Sequence, residues 1–418
     1  MRGSVAGFER RQGLLEVDGV DLREVAALAG TPCHVYSASL LAERYAALDR
    51  AFAPVDHRIH YALKANSTLA LVQLLRSLGA AADVNSGGEL EVALAAGFSP
   101  ADIVFTGVGK TRAEIARAID AGVAALNAES FGEIDRIAAI AASLGKVANV
   151  ALRINPDVDA GSHRHISTGS HTTKFGVSLD EARAMIRNVA GHNALRLVGL
   201  HVHVGSQITT VEPFAKGVQV VADFAKELQQ AGFPLRHLDV GGGLGIAYRE
   251  GEPVVSPEDY AAAIIPIVQQ TGLTLVLEPG RWIVGPVGVI LTEVVDVKVR
   301  SGTTTFVIVD AGMTDLMRPA LYEAWHQIEP VVPRPGQAIS VDVVGPVCET
   351  TDTFAYGRAL PPVEVGDLLA IRETGAYGSV MASNYNRRPL AAEVLVEHGQ
   401  PRIVRRRQTV SDMLQWER

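Results

Sequence analysis

Cysteine is nearly absent: Cys33 and Cys348 are the only two among 418 residues. That excludes a disulfide framework and fits a reducing compartment. Long apolar runs are missing as well. No stretch approaches the roughly 20 apolar residues of a membrane span, and the N-terminal MRGSVAGFERRQGLLEVDG lacks the apolar core of a secretory signal. A cytoplasmic protein without a membrane partner is expected. Basic clusters are also lacking. The formal charge is -8, with lysine and arginine scattered along the chain, so no footprint for nucleic acid is present and a small-molecule partner is expected.

What the sequence does contain is enough apolar material for two cores. Apolar residues make up 48% of the chain, and a single core stops growing at about 250 to 300 residues. From about residue 58, short β-rich runs alternate with amphipathic runs of helical period: IHYAL (59–63), AADV (81–84), IVFTG (103–107), VAALN (123–127), VALRIN (150–155), LVGLHVHV (197–204), LDVGG (238–242) and LTLVLE (273–278). Strands alternating with helices predict a parallel sheet with helical crossovers. Eight of them predict a (β/α)8 TIM barrel, with an open doubly wound sheet as the structural rival. The pairs Ser86 with Glu89, Thr111 with Glu114, and Ser130 with Glu133 predict capping boxes that start helices.

Beyond Pro286 the pattern changes to β-branched runs separated by turn residues, which predicts an all-β domain, a β-sandwich or β-barrel. The expected organisation is α/β plus all-β. Residues 36–285 are expected to form the barrel, 286–418 the β domain, and 1–35 a segment that joins the β domain or else caps the barrel. Two strand-to-helix loops, 155–178 and 241–256, are long enough to be functional or mobile.

In such a barrel the active site lies at the C-terminal ends of the strands. The residues found there are Lys64 after the first strand, Asp83 and Ser86 after the second, His201, His203 and Ser206 after the sixth, GGG (241–243) after the seventh, and Glu278 and Arg281 after the eighth. Lys64 reads either as a rim lysine reaching solvent or as a neutral amine able to bond to a carbonyl carbon. VGGGLGIAY is not a dinucleotide fingerprint, because Ile246 stands where G-x-G-x-x-G needs glycine. Its glycines serve either a tight turn or a phosphate cradle. The H-x-H of His201 and His203 opens a second reading, a zinc-dependent barrel hydrolase. Glu278 beside Arg281 reads as a salt bridge or as a functional carboxylate. An amine, an anion cradle, an imidazole and a carboxylate at one rim together suit pyridoxal 5'-phosphate, with no metal.

These residues sit in motifs that resemble the diaminopimelate decarboxylase family, within the alanine racemase-like, fold type III class of pyridoxal phosphate enzymes. The motifs are YALKAN, VNSGGELEVALAAG, IVFTGVGKT, LRINPDVDAGSH, TTKFGV, HVHVGSQI, GGGLGI, EPGR, DAGMTDLMRPALY, GPVCETTD and GAYGSVMASNYN, and the resemblance runs from about residue 33 to 398. The resemblance implies a carboxy-lyase that converts meso-2,6-diaminopimelate to L-lysine and CO2. It implies that Lys64 holds the cofactor aldehyde, that Asp83 lies near that end, and that His203 stacks on the ring. Ser206, Gly242, Gly243 and the backbone at Gly280 and Arg281 would hold the phosphate, with Tyr377 close by, and Glu278 would pair with the pyridine nitrogen. Arg281, Arg318 and Tyr322 would take the far carboxylate of the substrate and Glu349 its far ammonium, with Tyr377 also contacting substrate. Cys348 would donate the proton, and with Glu349 it would come from the partner chain of a head-to-tail homodimer.

Two departures bear on substrate. Thr350 and Thr351 stand where the family usually has Ser then Gly, and Arg387 stands where a small residue is more usual. Related decarboxylases of another amino acid, or of a carrier-bound or siderophore precursor, therefore remain an alternative. So do a racemase and a cofactor-binding homeostasis protein of the same fold.

Overall fold

The structure, a computed structural model, describes residues 7–158, 174–300 and 304–417. Residues 159–173 of the loop expected at 155–178, with the end of the LRINPDVDAGSH motif and the start of TTKFGV, lie outside these. The chain divides into two compact units. One comprises Tyr45–Ile246 and Pro253–Trp282, the other the described residues of Met1–Arg44, Ala247–Glu252 and Ile283–Arg418.

The first unit is a closed barrel of eight parallel strands. They are β1 (His57–Ala62), β2 (Ala81–Val84), β3 (Ile103–Phe105), β4 (Ala125–Ala128), β5 (Ala148–Ile154), β6 (Leu195–Val202), β7 (His237–Asp239) and β8 (Thr274–Leu277). Closure comes from β8 pairing with β1, Leu275 against His57 and Leu277 against Ile59. That pairing decides between the barrel and the open sheet. Because every strand is covered on both faces, the runs read as nearly continuous apolar segments.

Helix starts depend on the expected serine and threonine caps, with one correction. Thr111 and Glu114 form a reciprocal box at Arg112–Ala121. At Ser86 and Ser130 only half the box forms: each hydroxyl accepts from the backbone N–H three residues on, but Glu89 accepts from Asn85 N–H at 2.7 Å and Glu133 from Glu129 N–H at 2.8 Å. Each glutamate thus satisfies a donor one residue earlier. That anchors the strand-to-helix turn rather than the cap itself. Glu133 also receives the buried Lys110 ammonium at 2.8 Å, which donates to the carbonyls of Gly107 and Asn127 as well. Three acceptors are what a desolvated ammonium requires.

In the second unit, strand Gly288–Arg300 pairs antiparallel with Cys33–Ser37, Thr304–Val309 and Leu368–Ile371. Both faces of its first half are buried: Val289 and Leu291 pack with Leu22, Val35 and Val394, while Ile290 and Val294 pack with Val307, Val343 and Leu369. The PCHVYS segment is therefore an inner strand of the mostly β unit, also paired with Ala392–Glu397. Among the described residues no helix is long and apolar enough to cross a membrane.

Candidate active site

Strand β1 ends at Ala62, and the chain tightens into a single 3-10 turn, Leu63–Ala65. Leu63 and Ala65 are fully buried. Lys64 is left with its side chain 36% exposed and its Nζ 3.5 Å from Asp83 Oδ2 and 3.3 Å from Asn85 Oδ1. The side chain thus reaches solvent while its amine is tethered to Asp83 and Asn85. Asn85 also donates to both oxygens of Asp83, at 3.2 and 3.1 Å. Burial raises the Asp83 pKa, with the negative charge of Glu278 adding to the effect and the Lys64 ammonium opposing it.

Glu278 follows β8 and is 4% exposed. Its Oε2 accepts from His201 Nε2 at 3.1 Å and its Oε1 from Thr106 Oγ1 at 3.5 Å. Burial alone would raise its pKa. The His201 contact, the Lys64 charge and the adjacent Asp239 outweigh that, so Glu278 is held as an anion below the usual carboxylate range. Asp239 ends β7, and its Oδ1 accepts from Gly241 N–H at 2.9 Å.

The glycine run makes the tight turn, one of the two roles weighed for it. Gly241 has φ +68, and a Cβ on Gly242 would collide with the carbonyl oxygen of Glu278, so the turn lies directly against the EPGR segment. Gly242 N–H donates to His203 Nδ1 at 3.2 Å, which fixes the lone pair on Nδ1 and any proton on Nε2. Burial, with the positive charges of Lys64 and Arg153, keeps the imidazole pKa well below its ordinary value. Beside the turn, Arg281 Nη2 donates to Ser206 Oγ at 3.0 Å. Gly280 is needed for close approach, since a Cβ there would sit 2.9 Å from Ala65 Cβ. Lys64, Asp83, His203, Ser206, Gly242, Gly243, Glu278, Gly280 and Arg281 all belong to the barrel unit.

The two histidines do not act as a pair. His201 faces Glu278, whereas the Nδ1 of His203 is committed to the glycine turn. A zinc resting on both is not what this geometry offers.

The remaining expected residues lie in the β unit. Arg318 begins the short helix Arg318–Tyr322 and is 6% exposed. It donates to His326 Nε2 at 2.8 Å, and His326 Nδ1 donates to the Arg372 carbonyl at 2.8 Å. The Arg318 guanidinium lies 4.6 Å from the centre of the Tyr248 ring. Tyr322 is half-buried at the C-terminal end of the same helix. Cys348 is exposed, and the neighbouring Glu349 accepts from the Tyr385 hydroxyl at 2.6 Å. Tyr377 is half-buried with φ +55, a left-handed backbone rarely taken by a bulky residue and retained mainly at functional sites. Arg387 pairs with Glu417 at 2.7 Å. The other thiol, Cys33, is fully buried, and burial pushes it up to about 12.

Sequence reasoning missed Asn85, Thr106, Asp239, Tyr248, His326 and Tyr385 as members of these networks. Asp239, two residues before the glycine run, was the one that a strand-end reading of the seventh strand could have found.

Comparison with known proteins is consistent along the whole chain. Residues 38–285 match the family model for the pyridoxal-dependent decarboxylase, pyridoxal binding domain. A diaminopimelate decarboxylase of Pseudomonas aeruginosa is 46% identical over 406 residues, covering 97% of each chain. Its counterpart in Aquifex aeolicus is 44% identical over 401 residues, 96% of this chain and 95% of that one. Among solved structures, diaminopimelate decarboxylase from Helicobacter pylori complexed with L-lysine superposes with a TM-score of 0.91 at 42% identity, over 95% of this chain and 99% of that chain. The enzyme from M. jannaschii in co-complex with L-lysine gives a TM-score of 0.94 at 37% identity, over 100% of this chain and 99% of that chain.

Proposed function

Because the chain belongs to the diaminopimelate decarboxylase family of pyridoxal-dependent decarboxylases, we propose that it releases CO2 from meso-2,6-diaminopimelate to give L-lysine, with pyridoxal 5'-phosphate as cofactor. One observation carries this reading. An accessible lysine amine and a buried, ionised glutamate are held in the same barrel, with a neutral imidazole and a glycine turn between strands of that barrel.

These residues fit the cofactor chemically. When bound, pyridoxal phosphate supplies an electron-accepting ring for the pair released as CO2 leaves. Lys64 would hold its aldehyde carbon, with Asp83 and Asn85 orienting the amine. Glu278 would hold the proton on the ring nitrogen, and His203 would cover one face as an uncharged ring, so it would not compete for that negative partner. Ser206, Gly242, Gly243 and the backbone of Gly280 and Arg281 would hold the phosphate, with Tyr377 beside the cofactor. Arg281, Arg318 and Tyr322 would bind the far carboxylate and Glu349 the far ammonium. Arg318 comes prepared for this, because the Nε2 lone pair of His326 aligns it without neutralising its charge. Cys348 would deliver the proton to the α-carbon. Cys33 is unsuited to that task, being buried with a thiol that stays protonated.

The test is CO2 release from meso-diaminopimelate, L-lysine, L-ornithine and L-arginine by the cofactor-supplemented protein. A site that leaves buried charges unpaired with ligands lacking the far carboxylate should prefer diaminopimelate by about 10⁴-fold in kcat/KM. Comparable turnover of lysine or ornithine would contradict the substrate assignment and favour a related decarboxylase.

A head-to-tail homodimer in which Cys348 and Glu349 serve the partner's site is also proposed, from the family resemblance. Mixing Lys64→Ala chains with Cys348→Ala chains should then restore activity that neither variant has alone. Absence of rescue in a verified mixed dimer would exclude shared sites.

A further inference from the structure

We propose that Asp239 carries a proton that it donates to Glu278, and that Asp239 is thereby the positioning residue that keeps this carboxylate singly charged and aimed within the barrel. Its consequence for turnover rests on the function proposed above; the location of the proton does not.

The topology creates the pair. His201 and Asp239 are register partners across β6 and β7, and Asp239 is the partner of Val276 across β7 and β8. Glu278 lies two residues beyond Val276, so the alternation of side chains returns it to the same side. The three side chains meet with ligand-type atoms all within 4.8 Å of one another, and Asp239 and His201 are fully buried.

Two ionised carboxylates at that separation in a dry interior repel strongly, and one of them takes up a proton. The donors decide which. Glu278 receives the His201 N–H and the Thr106 hydroxyl and feels the Lys64 charge. Asp239 receives only the Gly241 N–H, on Oδ1, and its Oδ2 meets no hydrogen-bond donor among the described residues. A carboxylate oxygen buried with no donor is costly; the same oxygen carrying a proton becomes a donor and finds an acceptor in Glu278.

The surrounding groups reinforce that choice. Burial, then the charge of Glu278 and more weakly that of Asp83, push the Asp239 pKa well above its ordinary value. From the helix Pro257–Gln269, the Tyr260 phenol adds no charge, because burial and Asp239 keep it protonated. Asp239 also links two parts of the site, since Oδ1 holds the glycine turn while Oδ2 addresses Glu278.

The experiment compares Asp239→Asn with Asp239→Ala. Asparagine keeps both functions, with Oδ1 accepting from Gly241 and the amide donating to Glu278. In the cofactor-free protein at neutral pH, the infrared difference spectrum between wild type and Asp239→Asn should show the loss of one deuterium-sensitive carbonyl band of a protonated carboxylic acid. In the loaded enzyme Asp239→Asn should keep kcat within about threefold, whereas Asp239→Ala should lower it by about 10²-fold, the scale of removing a donor from a buried anion. A difference spectrum without that loss overturns the proposal. So does an Asp239→Asn protein that is as impaired as Asp239→Ala or fails to fold, since an amide preserving both hydrogen bonds should be tolerated. If the protein proves inactive on diaminopimelate, the infrared result still decides where the proton lies.

Discussion

Lys64→Ala is expected to lower CO2 release from meso-diaminopimelate by at least about 10³-fold, the loss that follows removal of a covalent nucleophile. The effect should fall on kcat, because Lys64 is tethered by Asp83 and Asn85 and is not among the groups assigned to the far end of the substrate. The fold should survive. The Lys64 side chain is one-third exposed, with Nζ at 3.5 Å from Asp83, and Asp83, whose pKa burial and Glu278 already raise, can take up a proton when the ammonium is lost. Stopped-flow or radiometric CO2 assays, with thermal unfolding as the control, would measure both. Activity within tenfold of wild type would remove Lys64 from the chemistry.

The second large effect is expected from Glu278→Gln. An amide keeps the shape and still accepts from His201, but it cannot stabilise a positive charge on a ring nitrogen. Loss of such electrostatic stabilisation in a buried site costs about 10² to 10³-fold in kcat. Glu278→Asp, which retains charge but withdraws it by one methylene, should fall between wild type and the glutamine variant. Because His201, Lys64 and Asp239 hold Glu278 below the usual carboxylate range despite its burial, it stays ionised through neutral and mildly acidic pH. Any loss of activity in that range should therefore persist unchanged in shape in the Glu278→Gln residual rate. A glutamine variant with wild-type kcat would exclude the pairing role.

Much of this site was readable along the chain because a parallel barrel places strand ends together. A lysine, a carboxylate and a glycine run that each end a strand need no long-range information to be flagged. The partners were harder. Closure depends on β8 finding β1 across more than half the chain, and a local pattern contains no register. Tyr248 and His326 meet at 5.3 Å between ring centres although nearly 80 residues separate them, so nothing near either one announces the cradle around Arg318. The serine caps were visible, but the glutamates three residues on turned to the preceding strand ends, because the N–H groups of Asn85 and Glu129 needed an acceptor inside the barrel.

The most direct test is reduction of the pyridoxal phosphate-supplemented protein with borohydride, followed by peptide mass mapping. The account requires a phosphopyridoxyl group on the peptide containing Lys64 and its absence from Lys64→Ala. A label found on other lysines only, or an unmodified Lys64 in protein that retains full activity, would contradict it.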